Sequence, residues 1–330
     1  MLAPMSHRII CAIDNDARAS GVVRLAASFS AALGVDLLVV HCVEPTNALP
    51  LGRGALGSRT RRFLMARGRE LVTRCCQQAG CSDWARARVE VADPKRMLVS
   101  LAGDPASELV VVGSRGRGRF KSALLGSVSR RLAAEAACPV AVLPREANGD
   151  WTPPPKLAGG TAPTILCGVD GSAEAYAAVQ WVAPLARVTG GSLLLAHVRE
   201  SFVSSPRPAP VASRVDYAAL LDTERRARLR ILHRALDLIG DDLDTRVTLV
   251  AGRAPDVLEQ LGKRECADLI AVGSRGHRPL KSALLGSTSA DLASSAKRPV
   301  LICPNVGRVP SWGRHPRKRF ESPPQSRIAQ

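Results

Sequence analysis

One glycine pattern occurs twice in this chain of 330 residues. The first copy reads Gly113-Ser114-Arg115-Gly116, nine residues, then Gly126-Ser127; the second reads Gly273-Ser274-Arg275-Gly276, nine residues, then Gly286-Ser287. Each follows an apolar run, residues 109–112 or 269–272, of the kind that forms a strand buried on both faces, so the first glycine falls at a strand exit. Each closes ahead of an amphipathic stretch (Leu132, Ala133, Ala136; Leu292, Ala293, Ala296), which reads as a helix that Ser127 or Ser287 can cap. Backbone N–H groups at such a helix start point outward, and the combination makes an anion cradle.

Other landmarks repeat with it. Cys11-Ala12-Ile13-Asp14 returns as Cys167-Gly168-Val169-Asp170 and His41 as His197, offset by 156 residues; Gly80 and Gly240, the glycine segments, and Pro139-Val140 with Pro299-Val300 are offset by 160. The second copy therefore gains four residues between His197 and Gly240, most simply in the proline-rich stretch 204–210. The expected layout is a first domain over 1–145, a linker over 146–163 with three successive prolines and Gly159-Gly160, a second domain over 164–305, and a basic, disordered tail over 306–330.

Hydrophobic periodicity predicts the same alternation in both copies. In the first, strands over 8–14, 37–43, 88–91, 109–112 and 140–143 alternate with helices over 20–33, 59–79, 96–102 and the stretch after Ser127. In the second, strands over 165–170, 193–198, 247–250, 269–272 and 300–303 alternate with helices over 173–189, 216–239, 256–263 and the stretch after Ser287. Strands joined through helices run parallel with right-handed crossovers, which gives two tandem doubly wound α/β domains, each with a five-stranded parallel sheet. In such sheets ligands sit outside the carboxyl ends of the strands, where the strand order reverses. Asp14, His41 and Gly113 fall at such ends, as do Asp170, His197 and Gly273.

The net charge of +17 invites a nucleic-acid reading, yet the excess is mostly arginine spread over helices and loops, and aromatic residues for stacking on bases are only 3%. Nucleic acid is not the expected partner; only Arg314, His315, Arg317, Lys318 and Arg319 in the tail cluster strongly. Nine cysteines, many inside apolar strand patterns, read as reduced core residues of a cytoplasmic protein. Cys75, Cys76 and Cys81 lie close together but complete no zinc-ligand spacing, and no metal site is expected. No apolar run approaches a membrane span, and no charged-then-apolar leader opens the chain, so a soluble protein is expected.

Glycine suits phosphate binding because it lacks a Cβ and lets backbone donors approach, which assigns that task to Gly113, Gly116 and Gly126 and their counterparts. Arg115 and Arg275, with Lys121 and Lys281, add positive charge to the same segments. Two nucleotide signatures fail: Gly116-Arg117-Gly118 is followed by Lys121 where a dinucleotide fingerprint needs its third glycine, and no P-loop string is present.

A strand-end Gly-x-x-Gly, nine residues, Gly-Ser, a strand-one Asp and a strand-two His resemble the ATP-binding class of the universal stress protein family, over about residues 8–144 and 163–304. The resemblance implies a Rossmann-like, adenine nucleotide alpha hydrolase-like fold in both domains. It also implies an ATP site, with Mg²⁺, in each. By position, the first site comprises Asp14, Cys42, Val112, Gly113, Arg115, Gly116, Gly126, Ser127 and Val128. The second comprises Asp170, Val198, Val272, Gly273, Arg275, Gly276, Gly286, Ser287 and Thr288. Here the strand-one Asp reaches the ribose and phosphate region, the residue after the strand-two His packs on adenine, and the glycine segment holds ribose and phosphates. Family members commonly dimerise through the last strand, so residues 140–143 pairing with 300–303 would make a pseudo-dimer within one chain; homodimers and a regulatory protein partner stay open.

The copies differ at one telling place. The second reads Asp170-Gly171-Ser172, the first Asp14-Asn15-Asp16. Asp16 can cap the following helix, but its charge opposes phosphate: two unit charges ~5 Å apart at an effective dielectric near ~20 repel by about 3 kcal/mol, roughly a hundredfold in affinity. The second copy is thus expected to bind ATP more tightly, or the first to lean more on magnesium. His41 and His197 read as structural, and Cys42 as packing. No nucleophile and base pair is evident, so the expected role is a nucleotide-dependent stress-response regulator and not an enzyme. The competing readings are a slow ATPase or self-phosphorylating protein with Ser127 or Ser287 near the phosphates, and a module tethered by its tail to nucleic acid or an anionic surface.

Overall fold

The computed structural model describes residues 7–44, 57–114, 125–144, 162–199, 217–276, 284–307 and 310, with side chains of 217–224 excluded. Residues 146–161 of the linker, the tail apart from 306, 307 and 310, and Arg115, Gly116, Lys121 and Lys281 lie outside the described residues. The first half runs β1 (Arg8–Ile13), α1 (Ala19–Leu33), β2 (Asp36–Val43), α2 (Ser58–Ala79), β3 (Arg86–Val91), α3 (Pro94–Ala102), β4 (Ser107–Gly113), α4 (Ser127–Glu135) and β5 (Val140–Leu143). The second runs β6 (Thr164–Gly168), α5 (Ala173–Thr189), β7 (Ser192–Arg199), α6 (Tyr217–Asp237), β8 (Thr245–Ala251), α7 (Ala254–Arg264), β9 (Leu269–Gly273), α8 (Ser287–Ser295) and β10 (Val300–Cys303).

The ten strands form one sheet in the order β3-β2-β1-β4-β5-β10-β9-β6-β7-β8. Pairing within each half is parallel, and β5 meets β10 antiparallel, with Val300 opposite Val142 and Ile302 opposite Val140. All four residues of each of these two strands are buried. The pairing expected from the sequence is therefore what turns two sheets of five into one, with no exposed edge at the junction. Strand order reverses between β1 and β4, and between β6 and β9, which puts the two crevices at the carboxyl ends of those strands.

One face of the sheet packs on α1, α2, α5 and α6, around Phe29, Leu71 and Trp181; the other packs on α3, α4, α7 and α8, around Leu98, Leu132, Leu261 and Leu292. The nine-residue α4 and α8 are too short to hold as isolated helices. Burial of Leu132 and Leu292, worth about 1.5–3 kcal/mol each, is what docks them. The elements predicted with bounds at both ends agree with these to within two residues. Helix α3 starts earlier, because Asp93 accepts a hydrogen bond from the Lys95 N–H and Pro94 takes the first helical position, a cap readable in the sequence but missed. Strand β4 also starts earlier, taking in Ser107 and Glu108, polar residues that are nonetheless buried.

Candidate functional site

In the first half, Asp14 just beyond β1, Cys42 on β2, Val112 and Gly113 on β4, and Gly126, Ser127 and Val128 at the start of α4 line one crevice of about 1130 Å³. The described residues that the sequence groups are thus brought to one place, together with Arg18, Ser129 and Arg130, which it did not mark. The helix start differs from expectation in its cap. Gly126, with φ −58° and ψ 151°, is the cap residue and gives no side-chain bond; Ser127 is the first helical residue and caps nothing. Gly286 and Ser287 repeat this on α8. The first intrahelical bonds run from Arg130 N–H to Gly126 and from Ala290 N–H to Gly286, so the three preceding N–H groups on each helix have no carbonyl within it. Glycine caps thus leave those donors for an anion, where serine caps would have consumed one.

A second repeated serine, missed in the sequence, locks this geometry. Ser129 and Ser289 donate to the carbonyls of Gly113 and Gly273, each at 2.6 Å, tying helix start to strand end. Their recurrence 160 residues apart was a usable signal. The glycine segment is closed further by Gly126 N–H to Ser114 O at 2.7 Å and Gly286 N–H to Ser274 O at 2.8 Å.

The second half brings Asp170, Gly273, Gly276, Gly286, Ser287 and Thr288 to the matching place, with Val198 and Val272 packed beneath on β7 and β9. Two of its glycines serve packing. A Cβ on Gly273 would lie 2.7 Å from the Glu174 backbone carbon, so this glycine lets β9 abut the start of α5, and a Cβ on Gly276 would lie 2.6 Å from the Asp170 carboxylate. Arg275 also departs from expectation. Its guanidinium crosses to the other half, toward the Ala134 carbonyl near the C-terminal end of α4 at 3.5 Å. A cation at that negative helix end is favourable.

The two aspartate turns diverge. Gly171 adopts φ 92°, which lets the Ser172 N–H and hydroxyl both reach Asp170 Oδ1, at 2.9 and 2.6 Å, while the Ser172 oxygen accepts from Ala175 N–H and caps α5. Asn15 takes no positive φ, and α1 starts at Ala19, two residues later than α5 would place it. Asp16 consequently does not cap the helix, contrary to expectation; its carboxylate accepts from the Arg18 N–H at 2.9 Å and holds the Arg18 guanidinium through two bonds of 2.8 and 3.0 Å. The premise of a bare second carboxylate in the first half is thereby overturned. Burial, then the Asp16 charge, still push the Asp14 pKa above its ordinary value, with Arg18 among the groups pulling it back.

Arg18 and Arg130 also line the first crevice, and no repeat flagged them, because their counterparts are Glu174 and Ala290. Over strand-end aspartate, turn residue and these two positions, charge is balanced in the first half; the second half carries two acids and no base. His41 and His197 are engaged structurally, Nδ1 to the carbonyls of Ile13 at 3.0 Å and Val169 at 2.7 Å. Cys42 donates to the Met97 sulfur at 3.4 Å, and burial raises its pKa to about 11, so it presents an unreactive apolar wall at neutral pH. Among the described residues no group of three or more His, Cys, Asp or Glu could hold a metal ion, so Mg²⁺ would enter with phosphates and at most one or two carboxylates.

Fold and sites together define a tandem doubly wound α/β protein with a glycine-capped helix start beside the strand ends of each half. The universal stress protein family model matches residues 5–144 and 162–304, and the chain belongs to that family. It is 28% identical over 304 residues to universal stress protein Rv2623 of Mycobacterium tuberculosis H37Rv, covering 89% of this chain and 95% of that one. It is 26% identical over 304 residues to Rv2005c of the same strain, covering 90% and 96%. The crystal structure of a universal stress protein from Archaeoglobus fulgidus DSM 4304 superposes with a TM-score of 0.63 over 91% of this chain and 99% of that chain at 19% identity, which is a likeness of fold.

Proposed function

We propose that each half binds ATP with Mg²⁺ and that the protein acts as a nucleotide-dependent binding and regulatory protein of the stress response. One observation carries the reading: in both halves a strand-end aspartate faces a glycine-capped helix start whose first N–H groups have no intrahelical partner. The remaining residues follow the same assignment. Val128 and Thr288 supply the second of those N–H groups, Gly116 and Gly276 let the segment approach the phosphates, and Cys42 and Val198 offer small apolar surfaces for adenine. The binding reading is favoured over an ATPase because the sequence offers no matched nucleophile and base pair.

The charge around the crevices sets their order. An extra charge ~8 Å from a phosphate at an effective dielectric near ~40 costs roughly 1 kcal/mol, so two more net negative charges weaken the second site by ~tenfold or more. The first half is therefore the tighter ATP site, the reverse of the order expected from Asp16 alone. No helix among the described residues is long and apolar enough to cross a membrane, and the nine free cysteines fit a reducing cytoplasm. The test is to denature freshly purified protein and identify released nucleotide by chromatography. Adenine nucleotide at one to two equivalents supports the reading; protein that releases none and takes up no labelled ATP in equilibrium dialysis with Mg²⁺ contradicts it.

A further inference from the structure

The C-terminal end of α2 holds a pair of thiols, Cys76 and Cys81. Gly80 terminates the helix at φ 70°, its N–H bonds to the Gln77 carbonyl at 3.1 Å, and the Cys81 N–H folds back to the Cys76 carbonyl at 3.0 Å. This 6→1 closure sets the side chains of its two end residues against each other, a contact usually made by two apolar groups. Here both are cysteine, and Cys11 and Cys75 pack with them in the same buried cluster. In the second half Gly240, φ 80°, ends the helix with a shorter closure, its own N–H bonding to the Leu236 carbonyl at 3.1 Å, and the matching positions are Leu236 and Asp241. The 6→1 closure and the dithiol thus belong to the first half.

Disulfides span Cα separations of about 4.4–6.8 Å, and a chain closed by a 6→1 bond brings its two end residues into that range. We propose that Cys76 and Cys81 form a redox-active pair that a peroxide-class oxidant converts into a disulfide across the end of α2. The Cys76 thiolate attacks a peroxide oxygen, the O–O bond breaks with release of hydroxide, and Cys76 becomes a sulfenic acid. The Cys81 sulfur then attacks the Cys76 sulfur; the S–O bond breaks and the hydroxyl leaves as water with the Cys81 proton, so two thiols lose two electrons to one peroxide. The roles follow from the proximity of the two thiols, which lowers the Cys76 pKa and raises that of Cys81. Both sulfurs are buried, so reaction proceeds through opening of the last helical turn, whose Gln77, Gln78 and Gly80 are exposed. Helix ends open at far lower free energy than the core.

The experiment treats the reduced full-length protein with hydrogen peroxide, alkylates the remaining thiols, digests with pepsin and maps the fragments by mass spectrometry. The expected result is a loss of two of the nine thiols, a fragment holding residues 76–81 lighter by two hydrogens, and full recovery with dithiothreitol. In Cys81→Ser, Cys76 should instead be trapped as a dimedone adduct. The proposal is overturned if both cysteines stay reduced under conditions that oxidise the exposed Cys266, or if the disulfide joins Cys75 or Cys11 instead.

Discussion

At the mouth of the first crevice Asp16 and Arg18 hold each other, while the same two positions in the second half carry Ser172, which caps α5, and Glu174 in the first turn of that helix. The scaffolds around them are nearly superimposable in plan: equivalent strand order, glycine caps, serine locks and histidine anchors. What differs is a single backbone choice, positive φ at Gly171 against none at Asn15, and it moves the helix start by two residues. A duplicated backbone can therefore keep its donors in place while the charge beside them is rewritten. The lesson is that charge at such a site has to be counted with its partners, since Asp16 is paired with Arg18 and its charge does not stand alone.

The largest effect that separates the halves is expected from a carboxylate in a cradle. Ser127→Asp and Ser287→Asp each place an acid at the first helical position, where the helix favours it, so melting temperature should hold or rise slightly. ATP affinity at the altered half should fall by ~hundredfold, or about 2.7 kcal/mol, read by calorimetry as loss of one of two binding events. An equal loss from both halves on a single substitution would break the comparison. Next in size is a charge exchange: Arg18→Glu should weaken the first site and Glu174→Arg strengthen the second by ~tenfold each, with the remaining site isolated by Ser287→Asp or Ser127→Asp. Unchanged affinities at low ionic strength would show that these side chains lie too far from the phosphates to matter.

A smaller effect belongs to Asp14. Burial and Asp16 raise its pKa in the fold, so the folded state holds the Asp14 proton more tightly than the unfolded chain, and ionisation of this group costs stability above its folded pKa. Asp14→Asn should thus raise the melting temperature at neutral pH, and the gain should shrink as pH falls through the folded pKa and the native carboxyl takes up its proton. A gain that grows on acidification would contradict the burial argument. The smallest effect is Ser172→Ala, which removes a cap and a bond to Asp170 and should cost the second half about 1 kcal/mol in urea unfolding, with no matching cap in the first half to lose.

Much of this was legible in the sequence because it is local and repeated. The period of apolar residues gave α5 its observed bounds, Ala173–Thr189, and the duplicated Pro-Val pairs marked the β5 and β10 strands that join the sheet. What escaped depends on small backbone rotations or on long-range contacts. Whether Asp16 caps a helix or grips Arg18 turns on one φ angle at Asn15, and whether Gly126 or Ser127 is the cap turns on where the chain enters α4. Arg275 was grouped with the glycine segment by its place in the sequence, yet its side chain reaches a helix end 141 residues away. Cys76 and Cys81 showed no recognisable spacing because a helix-ending turn, and not a metal-binding motif, brings them together.

The central claim, that two glycine-capped helix starts hold ATP, is tested most directly by titrating nucleotide-stripped full-length protein with ATP and Mg²⁺ in a calorimeter. The account predicts two binding events, the tighter one surviving in Ser287→Asp and the weaker one in Ser127→Asp. Absence of binding heat from the unaltered chain, at several temperatures so that a vanishing enthalpy is not mistaken for no binding, would contradict it.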